Sequence, residues 1–172
     1  MKFSSTTVKT RFDSPLGSML AAASDQGLCG LWFDGQRHMP AIPDMSGWPV
    51  APNHPVLQYT QAYLQAYFAG DTSDFSLPLD LQGGTPFQQA VWQALLRIPS
   101  GASTTYGALS HGLGRPSAVR AVAGAVGRNP ISIIVPCHRV LGSDGSLTGY
   151  AGGLERKTAL LQLEAKHQAV LL

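Results

Sequence analysis

At the end of an apolar run, Ile131–Val135, the chain presents Pro136-Cys137-His138-Arg139-Val140. A cysteine attacks as its thiolate, so a reactive one needs a neighbour that takes its proton or stabilises its anion. His138 stands beside Cys137, Asn129 lies upstream and Glu164 downstream. Together these residue types suggest a nucleophilic thiolate with a base and an orienting acid. Cys137 taken alone reads equally well as a small buried hydrophobe, the usual fate of a free cysteine. The chain has two cysteines, Cys137 and Cys29. One disulfide at most could form, so this is not a disulfide scaffold, and a reducing cytosol with free thiols is expected.

The elements that must position these residues fall into two halves. With 172 residues, 44% hydrophobic and 13% charged, the chain can build a real core as one compact domain or two small ones. No stretch approaches the roughly 18 apolar residues of a membrane span. The first residues, Met1-Lys2-Phe3-Ser4-Ser5-Thr6-Thr7, lack the apolar core of a signal peptide, so a cytoplasmic location is expected. Val8–Asp13, Ser18–Ser24 and Leu28–Phe33 are separated by turn residues and read as a small antiparallel meander. Residues 34–55 read as a loop. His54–Ala69 carries Val56, Tyr59/Thr60, Tyr63 and Tyr67 at helical spacing, read as core contacts, and is stopped by Gly70. Leu77–Gly84 reads as a connector, which divides the chain into an N-terminal supporting domain over 1–82 and a C-terminal domain over 85–172.

The second half starts with Thr85-Pro86-Phe87-Gln88, a capped helix start in which Thr85 and Gln88 form a capping box and Pro86 takes the first helical position. Phe87, Val91, Leu95 and Ile98 form its expected apolar stripe. Thr105–Gly112 and Ser117–Val126 follow as short helices linked by Leu113-Gly114-Arg115-Pro116, the pattern of a helix-turn-helix. The second of these is built of small residues, with Arg120 its one long basic side chain. A helix that reads the major groove carries long polar side chains. Small residues instead permit close approach to a backbone or to a minor groove, and a tightly packed core helix explains the alanines as well. Residues 1–84 hold four Lys/Arg against seven acids, whereas residues 85–172 hold eight against three. That basic half suits nucleic acid and equally a solvated surface. The fold class is therefore α+β, a small antiparallel sheet with a helix followed by a mostly helical domain.

Pro136-Cys137-His138-Arg139-Val140 resembles the active-site pentapeptide of the O6-alkylguanine-DNA alkyltransferases. The likeness runs from Thr85 to about Ala165 through Gly101–Leu109, Arg120-Ala121-Val122, Arg128-Asn129-Pro130, Gly149-Tyr150-Ala151-Gly152-Gly153 and Leu160–Glu164. Ser14-Pro15-Leu16-Gly17 and Tyr67-Phe68-Ala69-Gly70 extend it to the short bacterial form without a regulatory domain.

The resemblance implies DNA repair by stoichiometric transfer of an alkyl group from guanine O6 to Cys137. O4-alkylthymine is left open as a second substrate. It implies double-stranded DNA as partner, bound through the minor groove with the damaged nucleotide flipped out. Arg120 matches the arginine that fills the vacated stack, with Ala121 and Arg128 beside it on the DNA. Tyr106 matches the tyrosine that turns the phosphate and donates to the purine, and Asn129 the hinge asparagine. His138 (through a water) and Glu164 match the proton-removing chain. Val126, Val140, Tyr150 and Ala151 match the substrate pocket, Ala151 donating by its backbone. A thioether does not hydrolyse, so each molecule is expected to act once, as a monomer.

Three rival readings meet obstacles in the residues themselves. A non-catalytic lesion-binding relative replaces the nucleophile, which is present here. A transcription factor needs a polar recognition helix. In a cysteine hydrolase Cys137 and His138 would have to meet, whereas neighbours in an extended stretch point to opposite sides. Cys29, His38, Cys137 and His138 lack the paired spacing of a zinc site, so neither metal nor cofactor is expected. His111 and His167 read as surface residues, and Cys29 as strand core.

Overall fold

The computed structural model describes residues 1–171; of Pro43, Val170 and Leu171 only the backbone is described. Two compact units emerge, Met1–Gly84 with Pro130–Ser132, and Thr85–Asn129 with Ile133 onward.

The first unit holds an antiparallel meander, β1 (Val8–Ser14), β2 (Gly17–Ser24) and β3 (Gly27–Phe33), in that spatial order. β1 alternates, with Thr10 and Phe12 buried and Arg11 and Asp13 exposed, as a half-covered edge requires. All of β3 and nearly all of β2 is buried, so their apolar runs are near-continuous. On one face Leu20, Ala22, Cys29 and Trp32 pack with Phe3, Met39, Met45 and Trp48. Gly30 is required there, because a Cβ would overlap the Trp32 ring. The stretch over 34–55, expected as loop, contains one short helix, α1 (Ile42–Ser46), started by a proline in its first turn.

α2 (Pro55–Ala69) buries Leu57, Thr60, Leu64 and Tyr67 and ends at Gly70, whose φ of 110° no β-carbon tolerates well. Tyr59 and Tyr63 are only half-buried and pack edge-on to Phe75. Pro130–Ser132 runs parallel to β3, with the Leu31 N–H donating to the Pro130 carbonyl (2.8 Å) and the Ser132 N–H to the Leu31 carbonyl (2.9 Å).

The second unit opens with α3 (Pro86–Leu95), whose Thr85–Gln88 capping box is complete. Its buried residues are Val91, Trp92 and Leu95; Phe87 and Ile98 from the expected stripe are half-buried. The Trp92 indole N–H donates to the Ala125 carbonyl (2.9 Å), fastening α3 to α5. A two-residue strand, β4 (Thr104–Thr105), leads into α4 (Tyr106–Gly112) and then α5 (Val119–Gly127), the helix-turn-helix. The Ser110 hydroxyl donates to the Arg115 carbonyl and Gly114 takes φ of 70°, which closes the turn. After a single 3-10 turn at Cys137–Arg139, β5 (Val140–Leu141) pairs in parallel with β4, and α6 (Leu154–Leu171) follows.

Candidate active site

The cysteine sits where the backbone turns sharply. Pro136 has φ −83° and ψ 63°, an inverse γ-turn closed by the Cys137 N–H on the Val135 carbonyl (2.8 Å). Cys137, His138 and Arg139 then form the 3-10 turn, not the extended stretch expected from sequence. Proline with its preset φ, in a segment buried on all sides, enforces that turn. Just upstream, Ile133 takes φ of 71°, a left-handed conformation that costs a β-branched residue about 1–3 kcal/mol. Asn129 Nδ2 donates to the Val135 carbonyl (2.7 Å), holding this approach to the turn closed.

Cys137 is buried, and burial pushes its thiol upward. A hydrogen bond from the Asn129 amide and the positive charge of Lys157 pull the other way. Behind it, His138 is fully buried, and its Nε2 lies 2.7 Å from Glu164 Oε1. Burial lowers the His138 pKa despite Glu164, so the ring is neutral. Arg139 donates through Nε to Glu164 Oε2 (2.9 Å) and through Nη2 to Oε1 (2.8 Å). Burial would raise the Glu164 carboxyl, but the bonds from His138 and Arg139 outweigh it and keep the group ionised. An ionised carboxylate only accepts, so the His138 proton resides on Nε2. Nδ1 then carries the lone pair, and it is buried with no hydrogen bond from the protein. The turn therefore sets, next to the thiol in sequence, an imidazole whose tautomer is fixed.

Tyr106 opens α4, and its hydroxyl donates to the Thr148 carbonyl (3.2 Å). Burial raises its phenol, with the Cys137 charge adding to the effect. The β4–β5 pairing sets Thr105 opposite Leu141, which fixes Tyr106 against the chain leaving the cysteine turn. Val126 and Val140 are buried, and Tyr150 and Ala151 are half-buried. Arg120, Ala121 and Arg128 are exposed on α5, where Arg128 Nη1 reaches back to the Gly124 carbonyl (3.4 Å). The sequence thus separates into a buried cluster around Cys137 and an exposed group on α5.

Two members of the cluster received no role from sequence. Arg139 fixes Glu164, and Lys157 is wholly buried with its ammonium donating to the Val140 carbonyl (2.5 Å). The available signal was spacing, since Lys157, Leu160 and Glu164 recur at i, i+3 and i+7 along one face of α6. His167, expected at the surface, is half-buried with Nε2 inside, because it lies on that same helix face. No group of metal-binding side chains occurs among the described residues.

Fold and site define a helix-turn-helix protein with a buried cysteine followed in sequence by a buried histidine that a carboxylate holds. Residues 86–166 match the family model described as 6-O-methylguanine DNA methyltransferase, DNA binding domain, and residues 7–81 its ribonuclease-like domain. A methylated-DNA–protein-cysteine methyltransferase of Mycobacterium leprae is 47% identical over 158 residues, covering 92% of each chain. That of Haemophilus influenzae is 45% identical, covering 90% of this chain and 84% of its own. The crystal structure of the Mycobacterium tuberculosis O6-methylguanine methyltransferase superposes with a TM-score of 0.83 at 43% identity over 94% of each chain. The Mycobacterium tuberculosis OGT in complex with DNA does so at 0.81 and 44%, over 91% of this chain and 92% of its own. The chain belongs to the methylated-DNA–protein-cysteine methyltransferase family.

Proposed function

We propose that this chain repairs alkylated DNA by moving the alkyl group from guanine O6 to Sγ of Cys137, once per molecule. The observation that carries the reading is the cysteine turn itself: a buried thiol bonded by Asn129, next to a neutral His138 that Glu164 holds in the Nε2–H form. The thiol proton passes through a bridging water to His138 Nδ1. The thiolate then attacks the alkyl carbon in line, and the C–O bond breaks with its electron pair going to the base. The departing guanine anion takes that proton back from the His138 imidazolium through water, so the thiol proton ends on the base and the exchange is neutral overall. Tyr106 donates to the purine as charge develops on it, and the Ala151 N–H supplies a second donor. Val126, Val140 and Tyr150 wall the pocket.

The O6 carbon is inaccessible inside a duplex, so the nucleotide must be flipped out. The exposed Arg120 fills the gap it leaves. Ala121, small enough for the minor groove, and Arg128 contact the backbone around it. The DNA-bound relative supports this partner. The reaction uses no cofactor, and the protein works as a cytoplasmic monomer. The test is titration of excess duplex carrying labelled O6-methylguanine against a known amount of protein, with the label located by peptide mass. One equivalent on the peptide holding Cys137 is expected; continued turnover or label elsewhere overturns the reading.

A further inference from the structure

Lys157 is the one lysine in the buried cluster around Cys137, wholly enclosed on α6. Its ammonium donates to three main-chain carbonyls, of Val140 (2.5 Å), Thr148 (3.0 Å) and Gly149 (3.1 Å), and lies 5.9 Å from the centre of the Tyr106 ring. Carbonyls satisfy its three protons but not its charge. Among the described residues no carboxylate pairs with it; the buried carboxylate, Glu164, is taken up by His138 and Arg139. A buried ammonium without a counter-ion is expensive, and buried charges are normally paired. The Val140 carbonyl it holds belongs to the residue whose N–H closes the cysteine turn on the Cys137 carbonyl, so two groups able to become anions lie by it, Cys137 and Tyr106. Burial raises both, but Cys137 also has the Asn129 hydrogen bond and the Lys157 charge pulling it down. That leaves the thiol.

We propose that Lys157 is the counter-ion of the Cys137 thiolate, a positioning residue fixed by three carbonyls so that ionising the thiol completes a buried ion pair. This rests on the alkyl-transfer reading only for its consequence. When S–C forms and C–O breaks, the negative charge leaves sulfur for the guanine, and Lys157 holds a fixed positive charge beside the path. The anchoring has a second effect. The Thr148 and Gly149 carbonyls that accept from Tyr106 also accept from Lys157, so Tyr106 can turn its hydroxyl to a substrate without stranding them. Burial lowers the Lys157 pKa and the Cys137 charge pushes it back up, as a mutual pair requires.

The groups facing this pair are Asn129 and Tyr106 on the thiol, and His138 with Glu164 and Arg139 behind it, so the test isolates the charge of Lys157. Titration of the Cys137 thiolate by ultraviolet absorbance and by pH-dependent iodoacetamide labelling needs no DNA. Cys29 stays silent, its thiol pushed up to about 12 by burial. Lys157→Gln and Lys157→Met are expected to lower the thiolate fraction at neutral pH about tenfold, with labelling slowed equally, and Lys157→Arg to restore most of it. Unchanged titration in folded Gln and Met variants overturns the proposal. Should those variants fail to fold, the unsubstituted protein decides. The Lys157 Nζ resonance should titrate at lower pH after Cys137 is methylated than before, and an unmoved resonance overturns it. Failure of methyl transfer from DNA would leave these readouts intact and refute only the functional reading.

Discussion

Arg139 grips Glu164 with two parallel hydrogen bonds, Nε to Oε2 and Nη2 to Oε1, while its Nη1 is spent on the Ile98 carbonyl. Both side chains lie in the interior, at 11% and 2% exposure. The charge that fixes the His138 tautomer is therefore set by its neighbour in sequence. Removing one partner of such a pair strands the other, which typically costs about 3–5 kcal/mol. Arg139→Met is expected to lose stability in that range by denaturant unfolding. Adding Glu164→Gln should recover part of it, because the carboxylate that Arg139 leaves stranded is then gone. Strictly additive losses would show that the two are not coupled.

Stability should fall in acid in two stages. His138 has a folded pKa below its ordinary 6.5, so between those values the unfolded chain binds more protons and stability decreases as pH drops. Glu164 is held at about 2 against an ordinary 4.5, so its contribution is present above 4.5 and disappears as pH falls toward 2. A melting temperature that is level above pH 6.5, declines below it and falls faster below 4.5 is expected. His138→Gln should flatten the first stage and, by removing one of the partners that hold Glu164 ionised, move the second to higher pH. A stability that rises on acidification would contradict both assignments.

The two cysteines should separate cleanly. Cys29 lies in β3, where burial and the nearby Asp80 charge hold its thiol protonated. Cys137 alone has Asn129 and Lys157 favouring its anion. Cys137→Ser is expected to abolish alkyl transfer, by more than about a thousandfold, and to leave duplex binding nearly intact, since a hydroxyl is a far weaker nucleophile at neutral pH. Cys29→Ser should transfer at close to the normal rate. Single-turnover transfer assays and gel-shift binding on the same duplex measure both.

Much of this arrangement was legible because it rests on local rules. The capping box at Thr85–Gln88, the proline and glycine between α4 and α5, and the glycine stop at Gly70 act within a few residues, so spacing alone exposes them. The resemblance carried by Pro136–Val140 brought Cys137, His138 and Glu164 together. What escaped is what depends on distant contacts. Trp92 replaces Phe87 in the buried face of α3 because its indole has a carbonyl to reach on α5. Lys157 follows Arg156 in a polar stretch that reads as solvated surface, and only packing against the cysteine turn shows that one is inside and the other is not. The 3-10 turn at Cys137 was read as extended because a single turn has no periodicity to detect.

Arg120 provides the test that separates DNA handling from chemistry. It is exposed on α5, and among the described residues its guanidinium makes no hydrogen bond or ion pair within the protein. Its neighbours on the helix, Ala121, Ala123 and Gly124, offer no other long side chain to occupy a gap in the base stack. Arg120→Ala should therefore leave the fold and the cysteine turn unchanged, since a surface substitution without partners typically shifts stability by less than about 0.5 kcal/mol. In a duplex the extruded nucleotide would lose its replacement, and unstacking costs a few kcal/mol. Transfer from duplex O6-methylguanine is expected to slow by at least tenfold. Free O6-benzylguanine needs no extrusion, so its reaction with Cys137 should change by less than twofold. Both rates come from single-turnover labelling with the same protein preparation. Equal losses on the two substrates would place Arg120 in support of the pocket instead of the DNA, and loss on neither would remove it from the mechanism.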